Sequence, residues 1–231
     1  MSKDNFTFPI IIQARLSSKR LPNKVLEKIN GKPLIKYLIS RITSVFNSDQ
    51  IILATSTEED DDPLIDFCEQ NKIRYFRGPL NNVARRMCDA ANELNARSFV
   101  RINGDSPLID SEIILKGIEY FQKGKFDLVT NTFPRSYPIG QSVEIIKTST
   151  LESILYKGIS SFEKEHVTKH FYNHPTTYNI FNFINDNDLS NYRLVVDTKS
   201  DFVNIKKIIN KMTLPHTHYS MNEIIYSLYE E

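Results

Sequence analysis

The chain has 231 residues, with 29 Lys and Arg against 28 Asp and Glu, which gives a formal net charge of +1 at pH 7. This near-neutral balance excludes the overall basic field that nucleic-acid-binding proteins use. No apolar run approaches the roughly 18 residues that a membrane span requires, and residues 1–5 lack the apolar core of a signal peptide. We therefore expect a cytoplasmic protein that binds neither nucleic acid nor a membrane.

The length suits one substantial α/β domain, which can bury roughly 70% of the surface of its unfolded chain. The two cysteines, Cys68 and Cys88, lie in helical-looking segments and lack the spacing of a metal site. We expect two buried thiols in a reducing compartment, without a role in the chemistry.

Apolar, β-rich segments alternate with helical ones through the first 130 residues. The predicted strands cover residues 8–13, 50–54, 73–76, 98–102 and 127–130. The predicted helices cover residues 34–46, 63–70, 82–94 and 111–122. This alternation indicates a mostly parallel sheet between layers of helices. The acidic run at residues 57–63 is interpreted as the first turn of the second helix, with Thr57 or an aspartate as its N-cap.

The second half of the chain is less regular. Residues 132–143 contain three turn-forming residues, Pro134, Pro138 and Gly140, and are predicted to form a loop across the mouth of the sheet. Further strands are predicted at residues 143–146, 178–184 and 193–196, and further helices at residues 149–156, 162–172, 201–211 and 221–229.

Three histidines, His166, His170 and His174, share one face of the predicted helix at residues 162–172 and its continuation. Their four-residue spacing suits a row of metal ligands. However, Pro175 ends the helix, and no cysteine or carboxylate in the pattern completes the ligand set. We therefore do not predict a metal site from this row.

Four cationic side chains follow the first predicted strand within a short loop. Arg15, Lys19, Arg20 and Lys24 can surround an anion from several sides, and serines at positions 17 and 18 add hydroxyl and amide donors. A solvated basic turn after an edge strand is the alternative. Because a buried strand and a helix are predicted on either side, and ligands of open α/β sheets lie at the carboxyl ends of strands, we predict a polyphosphate-binding loop.

Acidic residues end two other predicted strands. Asp105 follows the strand at residues 98–102 in a tight turn, and Asp197 follows the strand at residues 193–196. Each has an alternative role in stabilising a turn or capping the next helix. Two strand-end carboxylates beside a strand-end basic loop nevertheless suit Mg²⁺, which prefers one or two carboxylates together with phosphate oxygens. We therefore predict both acids as metal ligands.

Several segments together resemble the cytidylyltransferase family, and in particular its branch of the spore-coat polysaccharide biosynthesis protein F type, which is related to the CMP-sialic acid and CMP-Kdo synthetases. The segments include IIQARLSSKRLPNKVL at residues 11–26, RINGDSPLID at 101–110, EHVT at 165–168 and VDTKSDF at 196–202. The resemblance covers nearly the whole chain in the right order. It is specific for the fold and for nucleotidyl transfer, and much weaker for the sugar.

The resemblance implies an α/β fold of the Rossmann-like nucleotidyltransferase (GT-A-like) type, with a mostly parallel sheet flanked by helices and a small, less regular insertion. Residues 1–231 then form a single nucleotidyltransferase domain, in which residues 132–192 contribute the substrate loop and a candidate dimerisation lobe. The implied activity is Mg²⁺-dependent transfer of CMP from CTP to a sugar acid of the sialic acid or Kdo kind, with release of pyrophosphate, for surface polysaccharide biosynthesis. A homodimer is the implied assembly.

The resemblance also assigns roles by position. Arg15 and Lys24 match the phosphate-binding arginine and lysine of the family's first loop and are predicted to be catalytic, and Asp105 and Asp197 match its two metal-binding acids. The predicted nucleotide-binding set is Gln13, Ala14, Arg15, Ser17, Ser18, Arg20, Lys24, Thr55, Arg85 and Arg101. The predicted substrate-binding set is Asn131, Tyr137, Gln141, Glu144, Glu165 and His166.

Three positions depart from the family pattern. Ser17 stands where a glycine is usual, and Ala84 and Ser142 stand where an acid is common. The last two are places where the identity of the acceptor can have changed. Two alternatives to the implied activity stay open. One is transfer from another NTP to a sugar-1-phosphate or other phosphorylated acceptor, and the other is a non-catalytic paralogue that binds a nucleotide sugar.

Overall fold

The computed structural model describes residues 8–229, except for the side chain of residue 227. Residues 1–5, which lack the apolar core of a signal peptide, lie outside this range. The strands are β1 (Ile10–Gln13), β2 (Lys28–Ile29), β3 (Lys32–Pro33), β4 (Ile51–Ser56), β5 (Arg74–Gly78), β6 (Ser98–Asn103), β7 (Leu128–Thr130), β8 (Glu144–Lys147) and β9 (Ile180–Asn182). The helices are α1 (Leu34–Thr43), α2 (Asp62–Asn71), α3 (Val83–Glu93), α4 (Ser111–Gln122), α5 (Thr148–Lys157), α6 (Ser161–Glu165), α7 (Lys169–Asn173), α8 (Lys199–Lys211) and α9 (Met221–Glu223).

Seven strands form one sheet in the order β5-β4-β1-β6-β8-β7-β9. Strand β1 pairs in parallel with β4 and β6, and β4–β5 and β7–β9 are also parallel. Strand β8 runs antiparallel to both β6 and β7. The predicted mostly parallel sheet flanked by helices is therefore confirmed. Strands β2 and β3 form a separate short hairpin that the sequence pattern did not predict.

The alternation of side chains along β1 divides the core into two layers. Ile10 and Ile12 belong to an apolar cluster that includes α1, α2 and α4. Ile11 belongs to the cluster on the opposite face, which is built from α3, α5 and α7. All three isoleucines are fully buried, and β1 is paired on both sides, so β1 is an interior strand and its carboxyl end is fixed.

The predicted helix at residues 162–172 is broken. Helix α6 ends at Glu165, His166 leaves helical conformation with φ −105° and ψ 81°, and α7 begins at Lys169. The three histidines therefore do not share one helix face. Instead, His170 bonds to Glu163 at 3.0 Å and its ring lies 4.3 Å from that of His174.

Two further predictions need correction. Residues 193–196 do not form a strand, although Arg193 makes an isolated bridge to Ile139. The predicted helix at residues 221–229 is α-helical only through α9 and continues as a π-helix at Ile224–Tyr229. Both segments pack with α8 in a third apolar cluster. Among the described residues, no helix combines the length and apolar character needed to cross a membrane.

Both cysteines are buried and unpaired, as predicted. Burial, with a smaller effect of nearby acids, raises the pKa of Cys68 and of Cys88 to about 12. Because the thiolate is the reactive form of cysteine, neither thiol is suited to nucleophilic chemistry.

Candidate active site

The basic loop begins where β1 ends and turns back on itself. The Asn23 amide donates to the Leu16 carbonyl at 3.0 Å, and Asn23 adopts a left-handed conformation with φ 58° that asparagine tolerates well. A 3-10 turn, Lys24–Leu26, follows directly. Lys24 is 8% exposed as a result, so the loop geometry directs one of its four cations inward.

Asp61 fixes this loop to the neighbouring strand. Its carboxylate accepts hydrogen bonds from the Leu16 amide at 2.6 Å, from the Thr55 hydroxyl at 2.8 Å, and from the amide and hydroxyl of Ser56. Burial alone would raise the pKa of Asp61, but these hydrogen bonds hold it below its ordinary value. The expected N-cap bond is absent from Asp61, and the described structure gives α2 no other side-chain cap.

Asp105, which follows β6, and Asp197, which precedes α8, are both free of the alternative capping roles. Helix α4 is capped by Asp110, whose side chain accepts from the Glu112 amide. Helix α8 is capped by Thr198 and Asp201 in a capping box. Asp105 and Asp197 therefore keep their carboxylates available to the site, and a bond from the Val196 amide to the Asp105 carbonyl at 2.8 Å joins their two loops.

Gly104 allows the Asp105 turn to approach β1. Its amide donates to the Gln13 carbonyl at 2.8 Å. A Cβ atom at this position would lie 2.9 Å from the Ala14 Cβ and 3.0 Å from the Gln13 carbonyl oxygen, which is too close for any side chain. Glycine is therefore needed to hold Asp105 beside the basic loop.

Each acid of the site is paired with a cation. The Lys24 ammonium contacts Asp105 Oδ2 at 2.6 Å and Asp197 Oδ1 at 3.1 Å. Arg20 contacts the other oxygen of Asp197 at 2.5 Å, and Arg15 contacts Glu165 Oε1 at 2.8 Å. These pairs place cations from one loop against carboxylates from three other segments.

These residues enclose a cavity of about 320 Å³ at the carboxyl edge of the sheet. Six residues of the predicted nucleotide-binding set line it: Gln13, Ala14, Arg15, Ser18, Arg20 and Lys24. Both predicted metal ligands and Glu165 from the predicted substrate-binding set also line it, as does Lys19 of the basic loop. The structure thus brings the basic loop, Asp105 and Asp197 into one site.

Four residues of the predicted nucleotide-binding set do not line the cavity. Ser17 is exposed, and the Thr55 hydroxyl is buried against Asp61. Arg85 is directed to solvent and pairs with Asp89 at 2.7 Å, one turn further along α3. Arg101 lies just outside the cavity, where it donates to Gln13 Oε1 at 2.9 Å and to Asn103 Oδ1 at 3.1 Å.

Most of the predicted substrate-binding set is engaged in holding the fold. The Asn131 side chain is buried and bonds to the Gln141 carbonyl and the Val143 amide, while the Gln141 side chain bonds to Leu108 and Asp110. Neither amide is free to contact a substrate.

Two other members of that set also lie away from the cavity. Tyr137 is buried against Phe183, and its hydroxyl lies 3.4 Å from the Lys116 ammonium. His166 is exposed with its ring 4.4 Å from that of Phe162.

Glu144 is a buried structural acid. It forms an ion pair with Arg101 and accepts from the Thr168 hydroxyl at 2.6 Å and the Tyr172 hydroxyl at 2.7 Å. Burial would raise the pKa of Glu144, but the charge of Arg101 and these hydrogen bonds lower it. Glu144 thus ties β6, which carries Arg101, to the α6–α7 segment, which carries the cavity residue Glu165.

Sequence patterns did not single out Asp61, Asn103 or Gly104 as site residues. Asn103 and Gly104 line the cavity, and Asp61 anchors its loop. Asn103 and Gly104 directly precede Asp105, a predicted metal ligand, and this position in the sequence could have identified them as site residues. No comparable signal existed for Asp61, because its partner Leu16 is 45 positions away.

The carboxylates of Asp105 and Asp197 fit the Mg²⁺ ion implied by the resemblance. Both carboxylates contact the same Lys24 ammonium, so they already share one cationic partner. Two carboxylates beside a phosphate-binding loop are also the oxygen donor set that Mg²⁺ prefers.

The fold and the site together define an α/β protein of the nucleotidyltransferase type. A family model described as cytidylyltransferase matches residues 9–225, and the chain belongs to this family. The spore coat polysaccharide biosynthesis protein SpsF of Bacillus subtilis is 31% identical over 210 residues, which cover 87% of this chain and 85% of that one. The predicted family and fold class are thereby confirmed.

Two further comparisons agree. A 3-deoxy-manno-octulosonate cytidylyltransferase of Pelobacter propionicus is 32% identical over 108 residues, which cover 47% of this chain and 42% of that one. A solved cytidylyltransferase structure from Leptospira borgpetersenii superposes with a TM-score of 0.92 at 28% identity, covering 98% of this chain and 95% of that one.

Proposed function

We propose that the protein transfers CMP from CTP to a sugar acid and releases pyrophosphate. The observation that carries this proposal is the cavity in which four cations of one loop face the carboxylates of Asp105 and Asp197. Such a site suits a polyphosphate that binds together with a divalent cation. Membership of the cytidylyltransferase family supports CTP as the donor.

In the proposed reaction, an oxygen of the acceptor attacks the α-phosphorus of CTP. A new phosphorus–oxygen bond forms, the bond to the β-phosphate oxygen breaks, and pyrophosphate leaves with its electron pair. Negative charge increases on the α-phosphate oxygens and on the leaving group. Lys24 and Arg15 lie in the cavity to stabilise that charge, while Lys19 and Arg20 hold the outer phosphates.

Mg²⁺ bound by Asp105 and Asp197 would neutralise phosphate charge and polarise the α-phosphate. Binding of the nucleotide requires Lys24 to exchange part of its contact with these carboxylates for phosphate oxygens. Arg15 must likewise exchange Glu165 for phosphate. Glu165 is then free to accept a hydrogen bond from the acceptor hydroxyl and to receive its proton.

The sugar acid is the acceptor class that the named relatives support. One is a 3-deoxy-manno-octulosonate cytidylyltransferase, and the other is a spore coat polysaccharide biosynthesis protein. We accordingly propose that this chain activates a sugar acid for a surface polysaccharide and works as a cytoplasmic homodimer.

A pyrophosphate-release assay with Mg²⁺ tests the proposal. Each of the four NTPs is offered with a panel of 2-keto-3-deoxy sugar acids and a panel of sugar-1-phosphates. Release with CTP and a keto acid alone is the expected result. Release with another NTP and a phosphorylated sugar would contradict it, and CTP binding without release from any acceptor would favour a binding protein.

A further inference from the structure

One arginine near the candidate site lacks the partner that its burial calls for. Arg135 is half-buried in the loop between β7 and β8. Its Nη2 donates to the Ser142 hydroxyl at 3.0 Å, and its Nη1 lies 3.4 Å from the Pro138 carbonyl. Within residues 8–229, it forms no ion pair.

The Ser142 hydroxyl is an uncharged partner, whereas a guanidinium removed from water normally requires a carboxylate or a phosphate. Burial lowers the pKa of Arg135 from its usual value, and the nearby Glu144 only partly opposes that effect. Glu144 is already engaged by Arg101, Thr168 and Tyr172. The charge of Arg135 is therefore incompletely compensated in the protein alone.

The strand register places this arginine at the edge of the sheet that holds the site. In the antiparallel pair of β6 and β8, Arg101 lies opposite Glu144. Because β8 begins at Glu144 and runs antiparallel to β6, Ser142 precedes it at the end of the sheet where Asn103 of β6 lines the cavity. Arg135 does not itself line the cavity. Glu144, whose charge acts on Arg135, pairs with Arg101, and Arg101 contacts the lining residues Gln13 and Asn103.

That position matches where an acceptor has to enter. The attacking and leaving oxygens lie on opposite sides of the α-phosphorus in an in-line displacement. If the basic loop holds the leaving phosphates, the acceptor approaches from the other side. We propose that Arg135 forms a subsite for the anionic group of the acceptor, which is the carboxylate of a sugar acid under the proposed function on which this inference rests.

The loop is rigid enough to present such a subsite. The Asn131 side chain bonds to the Gln141 carbonyl and the Val143 amide, which closes the base of the loop. The first part of the loop is also held, because the Asn182 side chain bonds to the Phe133 amide and the Pro134 carbonyl. A guanidinium on an anchored loop loses little further freedom when it binds an anion.

Two substitutions test the subsite. Arg135→Gln removes the charge of the side chain, and Arg135→Glu reverses it. Arg74→Gln, on the exposed part of edge strand β5, is the matched control. Calorimetry measures the affinity of each protein for CTP, for a 2-keto-3-deoxy sugar acid and for a sugar-1-phosphate. Kinetic assays measure the KM of each substrate that turns over.

Loss of a charge-assisted contact costs about 1.5–3 kcal/mol, so both variants should weaken sugar-acid affinity and raise its KM roughly 10- to 100-fold. Affinity for CTP should change less than about twofold, and the control should match the wild type. Wild-type sugar-acid affinity in both variants, or no binding of either acceptor by the wild type, would overturn the inference.

The same measurements separate this inference from the proposed function. If the Arg135 variants turn over the sugar acid as the wild type does, the proposed function is supported and the Arg135 subsite is rejected. Binding of a sugar-1-phosphate that depends on Arg135, without turnover of any sugar acid, would support the anion subsite and contradict the proposed acceptor class.

Discussion

The Lys24 ammonium donates to Asp105 Oδ2 at 2.6 Å across a separation of 81 positions in the chain. This contact joins the loop after β1 to the loop after β6, whose strands are direct neighbours in the sheet. Lys24, which is proposed to bind phosphate, is therefore in direct contact with Asp105, which is proposed to bind the metal. Nucleotide and metal binding at this point should therefore depend on each other.

Lys24→Met should lower turnover at least 100-fold, because a preorganised cation beside the α-phosphate would be lost. Folding should remain nearly intact, since the acids that contact Lys24 are partly exposed and can be solvated. Steady-state kinetics and circular dichroism test both expectations. Lys28→Met, at an exposed position of β2, is the control. Wild-type turnover in Lys24→Met would remove this residue from the site.

Asp105→Asn and Asp197→Asn should each raise the Mg²⁺ concentration needed for half-maximal turnover more than tenfold, since each removes one of two anionic ligands. Chelation of divalent cations should abolish turnover of the wild type. Titration of Mg²⁺ in the pyrophosphate assay measures the effect, with Asp66→Asn on the exposed face of α2 as the control. Metal-independent turnover would exclude the proposed role of both acids.

Glu165→Gln should tighten CTP binding by up to about fivefold. The ion pair with Arg15 has both side chains about one-third exposed, and such pairs contribute about 0.2–1 kcal/mol. Removing it frees Arg15 for phosphate, while the acceptor hydroxyl loses its proton acceptor, so turnover should fall. Calorimetric titration with CTP measures the first effect, and Glu119→Gln, at an exposed site on α4, should have none. Weaker CTP binding would mean that Glu165 orients Arg15 instead of competing for it.

Asp61→Asn should lower the free energy of unfolding at pH 7 by about 2 kcal/mol, because it weakens charge-assisted hydrogen bonds to a buried carboxylate. The pKa of Asp61 is below its ordinary value in the folded protein. Its contribution is therefore present above about pH 4 and is lost as the pH falls below that value. Urea unfolding at pH 7 and pH 3.5 should show a smaller difference between variant and wild type at the lower pH. An equal difference at both values would contradict this account.

His216→Phe should make the protein less sensitive to mild acid. Burial, helped by the charges of Lys32 and Arg41, lowers the pKa of His216 to about 4. The unfolded chain takes up this proton near pH 6.5, so stability falls as the pH drops from about 6.5 towards 4. The thermal midpoint of the wild type should fall more between pH 7 and pH 5 than that of the variant, which keeps a ring against Tyr37. His218→Phe, at an exposed position, should behave as the wild type does.

The sequence predicted the α/β layering because its strands are continuous apolar runs and its helices are separated by clear turn signals. Most boundaries of the first half differ from the observed ones by a few residues. The break at His166 was not predicted, because apolar and charged residues of that segment still follow a helical spacing. There the structure is decided by tertiary contacts, among them the bond from Thr168 to the buried Glu144.

For the site, the sequence by itself determined three parts: the basic loop, Asp105 and Asp197. Chain order and a parallel sheet suffice to bring the first two to one edge, because they follow neighbouring strands. Asp197 follows no strand, and its loop is joined to that of Asp105 by the bond from the Val196 amide to the Asp105 carbonyl. Only the tertiary structure decided which polar side chains remain available there. The side chains of Asn131 and Gln141 bond to buried backbone groups and Glu144 pairs with Arg101, whereas the charge of Arg135 is only partly compensated. Residue type reports what a side chain can bind, but competition among buried partners decides what it does bind.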